Sequence, residues 1–192
     1  MTTKKMSPIQ LLLIIVVLGA VALGVNSLYK GKLVEDAKKD ANPATSSTRT
    51  LVGKTIPEFS FPDIEGLPRY MHEWDGQVVA INFWASWCQP CRREMPMFSN
   101  FQDNYREKGL QFIGISLDNR EAVKQFVADL GYPISYPLLV GADEGIDLAK
   151  DLGNEFGILP YTVFVDRNGK IAFVQYGELS EELTENTIQN LL

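Results

Sequence analysis

The sequence contains two cysteines, and they stand together in Trp87-Cys88-Gln89-Pro90-Cys91. On a helix that spacing puts them one turn apart, where side-chain bases are about 5–6 Å from each other. A disulfide then opens and closes with little backbone movement. Val78 to Trp84 reads as a buried strand and the stretch from Cys91 reads as a helix, so Cys88 falls at a strand-to-helix turn. Backbone N–H groups lack partners there, and the helix dipole favours negative charge. Both effects favour the thiolate, which is the nucleophilic form of a cysteine. The chemistry these residues suit is thiol–disulfide exchange. Cys88 attacks a disulfide, Cys91 resolves the mixed disulfide, and the redox-active disulfide Cys88–Cys91 is the only redox group required, with no further cofactor. A static disulfide or two buried thiols would use the same residues, but the helix start, the intervening Pro90 and the preceding Trp87 favour exchange.

Other chemistries find less support. Two cysteines cannot make a four-cysteine zinc site, and the one histidine, His72, leaves little to complete a tetrahedral set. His72 lies in Tyr70-Met71-His72-Glu73-Trp74, far in sequence from the cysteines, and reads as a surface or packing residue. Met95 and Met97 flank Pro96 in a pattern that soft metals can use, but core packing accounts for them better, so no metal site is expected. Pro96 should kink or locally unwind its helix.

The elements that must position the cysteines alternate along the chain. After the strand Val78 to Trp84, Cys91 to Lys108 places Phe98, Phe101 and Tyr105 at helical spacing, and Leu110 to Leu117 is a second buried strand. Asn119 to Leu130 is a second amphipathic helix, ending at Gly131. Strand, helix, strand, helix argues for a parallel sheet. Tyr136 to Val140 follows as a strand and Ile146 to Leu152 as a short helix. Thr162 to Val165 and Ile171 to Tyr176 flank the turn formers Asp166-Arg167-Asn168-Gly169 and make a hairpin. A final helix, Glu181 to Leu192, has an acidic first turn that suits its dipole.

Ahead of these elements, residues 9–28 run IQLLLIIVVLGAVALGVNSL without a charge. As a helix this stretch spans roughly 30 Å, the thickness of a bilayer core. It reads as a transmembrane anchor, with residues 1–8 as a cytoplasmic N-terminus and 29–50 as a flexible polar tether to a domain at 51–192. Ala20-Val21-Ala22 leaves a cleaved signal peptide as the alternative. Lysines on both sides of the run leave the positive-inside rule undecided. Seven basic and three acidic side chains fall in residues 1–50, against eleven basic and 21 acidic in 51–192. So acidic a body would repel a phosphate backbone, and nucleic-acid binding is excluded as a function class.

Asn82-Phe83-Trp84-Ala85-Ser86-Trp87-Cys88-Gln89-Pro90-Cys91 resembles the active-site segment of the thioredoxin superfamily, in its TlpA/ResA-like branch related to CcmG. Leu51-Val52-Gly53-Lys54 with Pro57, Phe59, Pro62, Asp63 and Gly66 is similar to that branch's N-terminal hairpin, and Gly157-Ile158-Leu159-Pro160 to its cis-proline loop. The resemblance implies an α/β, thioredoxin-like three-layer fold with a mixed central sheet, an N-terminal β-hairpin extension and a mid-chain strand-helix insertion. The long stretch from Cys91 to Pro160 leaves room for that insertion. Asn82 stands where a thioredoxin would carry a buried Asp, and the resemblance implies that Glu94, three residues after Cys91, takes over as proton carrier. Partial burial would raise its pKa into a useful range. A solvent-facing Glu94, or one paired locally with Arg92 or Arg93, is the alternative. Pro160 is expected in cis, with the Leu159 backbone pairing to an extended client segment and Trp87 and Pro90 beside it. Trp84 and Trp87 would shield the site or act as core and rim aromatics.

What the resemblance implies about function is an extracytoplasmic reductase at the bacterial cytoplasmic membrane. It would take electrons from a membrane thiol donor and pass them to protein disulfide or dithiol clients, such as apocytochrome c haem-attachment cysteines or the copper-site cysteines of an oxidase assembly factor. Two other classes remain open. A copper chaperone would use Cys88 and Cys91 as ligands, and a thiol peroxidase would share the N-terminal hairpin.

Overall fold

The computed structural model describes residues 50–192. The anchor and tether expected at 9–28 and 29–50 lie outside the described residues except for Thr50. Among the described residues, no helix is long and apolar enough to cross a membrane.

A two-stranded antiparallel hairpin comes first, β1 (Ser60–Pro62) with β2 (Pro68–Tyr70). Its turn forms because the Asp63 Oδ1 accepts from the backbone N–H groups of Glu65 and Leu67, while Gly66 takes a φ of 93° that other residues avoid. This is the expected N-terminal extension, and a bridge from Asp63 to Leu139 ties it to the main sheet.

The main sheet is built from β3 (Val78–Trp84), β4 (Leu110–Ser116), β5 (Leu138–Val140), β6 (Tyr161–Val165) and β7 (Ile171–Tyr176), in the order β5-β4-β3-β6-β7. β3 pairs parallel with β4, and β4 with β5; β6 runs antiparallel to β3, and β7 to β6. The sheet is therefore mixed, as expected. Every residue of β3 is buried, because helices or the hairpin cover both faces. Val79, Ile81 and Phe83 enter one apolar cluster with Phe61 of the hairpin and with Leu148 and Ala149 of the helix α3 (Ala142–Asp151). Val78, Ala80 and Trp84 enter the opposite cluster, with side chains from the helices α1 (Gln89–Tyr105), α2 (Arg120–Asp129) and α4 (Glu181–Leu191). The period of two along β3 thus divides the core into two layers.

Boundaries differ from expectation where local chemistry decides them. α1 begins at Gln89, since Cys88 and not a later residue is its cap, and it gives way to a 3-10 turn over Arg106–Lys108. The helix runs through Pro96 without unwinding. β5 starts at Leu138, not Tyr136: Pro137 has no N–H to give a ladder, and the Tyr136 ring is buried among the helices. α3 starts four residues earlier than read, from Ala142, with Asp143 and Glu144 in its first turn. A Cβ on Gly141, just before the helix, would fall 2.8 Å from the Gly145 Cα, so no side chain fits at Gly141. β5, with α2 before it and α3 after it, fills the stretch between β4 and β6 where additional elements were expected.

Candidate active site

Three hydrogen bonds shape the turn out of β3. The Cys88 N–H donates to the Ala85 carbonyl (3.0 Å), the Ser86 N–H to Asp118 Oδ2 (2.6 Å), and the Leu117 N–H to the Trp84 carbonyl (2.9 Å). The turn is thereby fastened to the segment that leaves β4. Cys88 is extended at the N-cap of α1, and its Sγ accepts from the Cys91 N–H at 3.3 Å. Pro90 stands in the first turn, where its missing N–H leaves no gap. The two cysteines are joined in a disulfide with Cα atoms 5.3 Å apart. In the oxidised protein Cys88 keeps 4% of its surface exposed, and Cys91 keeps none. The two tryptophans part company: Trp84 is a wholly buried core residue whose ring lies tilted against Phe126, while Trp87 is 71% exposed beside the disulfide in sequence.

The Leu159–Pro160 bond is cis, as expected. Pro160 immediately precedes β6, whose first residue, Tyr161, pairs with Phe83 near the end of β3, so the proline loop and the cysteine turn share one end of the sheet. Leu159 packs on both apolar clusters, the one that holds Cys88 and Cys91 included. Among the described residues its backbone N–H and C=O find no hydrogen-bond partner. Upstream, buried Asn154 clamps the loop by giving its Nδ2–H to the Ile158 carbonyl and accepting the Ile158 N–H, both at 2.9 Å. Phe156 and Ile158 remain exposed on that loop.

Glu94 is buried, with 2% of its surface exposed. This is the expected burial, and the alternative, a local ion pair with Arg92 or Arg93, is not formed. Arg93 instead makes a two-pronged bond to Glu178 (3.0 and 2.6 Å), and the Arg92 guanidinium lies 5.3 Å over the Phe126 ring. The Glu94 carboxyl accepts from the Leu179 N–H (3.0 Å) and from Asn82 Nδ2 (2.9 Å). Burial raises its pKa to about 7, against the lowering effect of those two donors. Asn82, opposite Thr162 in the β3–β6 ladder, also donates to Thr162 Oγ1 at 3.0 Å. Sequence reasoning noted Asn82 as a departure from thioredoxin but missed it as a partner of Glu94, and missed Thr162, Leu179 and Asp118 altogether. The even-numbered face of β3, turned towards α1, was the available signal for Asn82.

His72 is exposed and lies 3.5 Å from Glu58, away from the cysteines. Met95 is fully buried and Met97 packs against the same cluster. Among the described residues, no group of three or more His, Cys, Asp or Glu side chains is placed to hold a metal ion.

A dithiol–disulfide pair capping the first helix after a central parallel strand, with a cis-proline loop at the same end of the sheet, defines a thioredoxin-fold thiol:disulfide oxidoreductase. Comparison with known proteins agrees. The chain is 30% identical over 184 residues to the thiol-disulfide oxidoreductase ResA of Bacillus cereus (strain ZK / E33L), covering 95% of this chain and 94% of that protein. It is 29% identical over 154 residues to ResA of Geobacillus thermodenitrificans (strain NG80-2), covering 79% and 84%. Among solved structures, a thiol:disulfide interchange protein of the thioredoxin family from Chlorobium tepidum TLS superposes with a TM-score of 0.65 at 25% identity, covering 72% of this chain and 96% of that one. Residues 51–192 match the Redoxin family, and the chain belongs to it.

Proposed function

We propose that this protein is a membrane-tethered reductase of protein disulfides that works outside the cytoplasm. The carrying observation is the unequal burial of the pair: Cys91 is sealed, and the remaining exposed area belongs to Cys88. In the reduced protein the Cys88 thiolate attacks one sulfur of a client disulfide, forming the mixed disulfide and expelling the other client sulfur as a thiolate. Glu94 takes the proton of the Cys91 thiol. The Cys91 thiolate then attacks Cys88 Sγ, expels the second client thiolate and leaves Cys88–Cys91 oxidised. The client gains two electrons, and two protons complete its thiols. A carboxyl that titrates near 7 can accept and return a proton at physiological pH.

The client is held as an extended segment against Leu159, whose unpaired backbone groups offer it a strand edge, with Pro160, Pro90 and Trp87 around the disulfide. A membrane thiol donor re-reduces the pair. The anchor at 9–28 keeps donor and client at high effective concentration. Haem-attachment cysteines of apocytochrome c and copper-site cysteines of an oxidase assembly factor are the client classes this reading favours.

The order of attack has a direct test. Cys91→Ser accumulates a mixed disulfide through Cys88 when the reduced protein meets a client disulfide, and Cys88→Ser does not. Equal trapping by the two variants would refute the assignment.

A further inference from the structure

Asn82 occupies a position that serves two opposite hydrogen-bonding needs. Its side chain is 1% exposed, and one end of its amide faces both Glu94 and Thr162, at 2.9 and 3.0 Å. As oriented, that end is Nδ2, which spends its two N–H bonds on the Glu94 carboxylate and the Thr162 hydroxyl. The other end, Oδ1, is buried and among the described residues has no partner. A buried unpartnered amide oxygen calls for a physical reason.

We infer that Asn82 is a positioning residue for proton transfer, an amide rotor that turns over as Glu94 gains or loses its proton. A carboxylate needs a donor, which Nδ2 supplies. A carboxylic acid needs an acceptor for its O–H, which Oδ1 supplies after a half turn of the amide. The Thr162 hydroxyl can accept or donate, so it fits either orientation: it takes an N–H from Nδ2 or gives its O–H to Oδ1. Each orientation leaves one amide end unpartnered, Oδ1 in the first and Nδ2 in the second, so neither carries the whole cost. No covalent bond changes in the turn; only the proton on Glu94 moves. An ionised Asp at this position could not donate to a carboxylate, and an apolar residue could serve neither state.

The other groups around Glu94 do not turn over with it. The Leu179 N–H is a fixed donor, Arg93 is engaged by Glu178, and the Glu178 carboxylate itself opposes ionisation of Glu94. The Tyr136 hydroxyl, buried and without a partner among the described residues, is held neutral by burial and by the Glu94 charge. The remaining titrating neighbours are Cys88 and Cys91 once reduced.

This inference rests on the proposed proton role of Glu94, and NMR of the oxidised, isotope-labelled full-length chain separates the two. Across about pH 5 to 9, the Asn82 side-chain amide resonances titrate with the midpoint of the Glu94 carboxyl carbon. The amide-proton NOE to the Thr162 methyl, present at the alkaline end, fades at the acid end. Asn82→Leu removes the stronger, charge-assisted bond along with the weaker one, so the Glu94 midpoint rises, by up to about tenfold in proton affinity. Asn82→Asp places two carboxyls side by side and splits the titration into two steps. An Asn82 amide that stays invariant through the Glu94 titration, or a midpoint unmoved in Asn82→Leu, overturns the rotor. If Asn82→Leu does not fold, the wild-type amide titration decides alone. Unchanged resolution by Glu94→Gln would remove Glu94 from catalysis while leaving the rotor standing, because the NMR readouts follow the proton and not turnover.

Discussion

Glu94 sets the pH behaviour at the scale of single residues. Its pKa is about 7 in the folded protein against an ordinary 4.5, so the folded state holds this proton more tightly than the unfolded chain. The stabilisation is fully present below the unfolded value and is lost as pH rises through about 7, a change of about 3 kcal/mol for a gap of this size. Glu94→Gln keeps an acceptor for the Leu179 N–H and carries no charge, so the variant gains on wild type as pH rises. Urea unfolding of both oxidised proteins at about pH 4.5 and pH 8 measures the divergence; parallel stabilities would contradict it. The kinetic counterpart is resolution of the mixed disulfide, which slows about 10²-fold in Glu94→Gln and loses its dependence on a group titrating near 7. Stopped-flow release of client thiol across pH reads this out.

Individual elements are held by polar groups that pattern reading does not reveal. β5 pairs only with Gly114–Ser116, so the first half of β4 has no strand on its outer side. Gln102, fully buried on α1, fills that place: its Nε2–H donates to the Leu110 carbonyl (3.1 Å) and its Oε1 accepts the Phe112 N–H (2.6 Å). Gln102→Ala strands both backbone groups and costs about 2–5 kcal/mol, read as a lower denaturant midpoint with an unchanged slope. A loss under 1 kcal/mol would show that water replaces the side chain. The strands and helices themselves were legible from period and turn chemistry. β3 and β7 have the boundaries read from sequence, and Asp166 caps the β6–β7 turn by accepting the Asn168 and Lys170 N–H groups. Gln102, Asn82 and Asn154 were illegible because each acts across a gap in sequence or on irregular backbone, where neither period nor propensity carries a signal. The cysteine pair was legible because its spacing is local. The Glu94 environment was not, since its two donors come from β3 and from the loop before α4.

For the whole molecule, charge divides between residues 1–50, which are basic, and residues 51–192, which are acidic. The described domain keeps its chemistry at one end of a sheet covered on both faces. A reductase role requires that the Cys88–Cys91 couple be strongly reducing. Equilibration against a dithiothreitol series should give a potential below about −200 mV, on the thioredoxin side of the scale, whereas a value near −120 mV would make the protein an oxidant and reverse the electron flow. The exchange chemistry depends on Cys88 being the nucleophile and Cys91 the sealed partner. Alkylation of the fully reduced native chain over a pH series, with the modified residue located by mass spectrometry, tests this most directly. The account predicts modification at Cys88 alone, with a reactivity midpoint below the free-thiol value of about 8.5. Preferential modification of Cys91, or a Cys88 that stays unreactive until the protein unfolds, would contradict it.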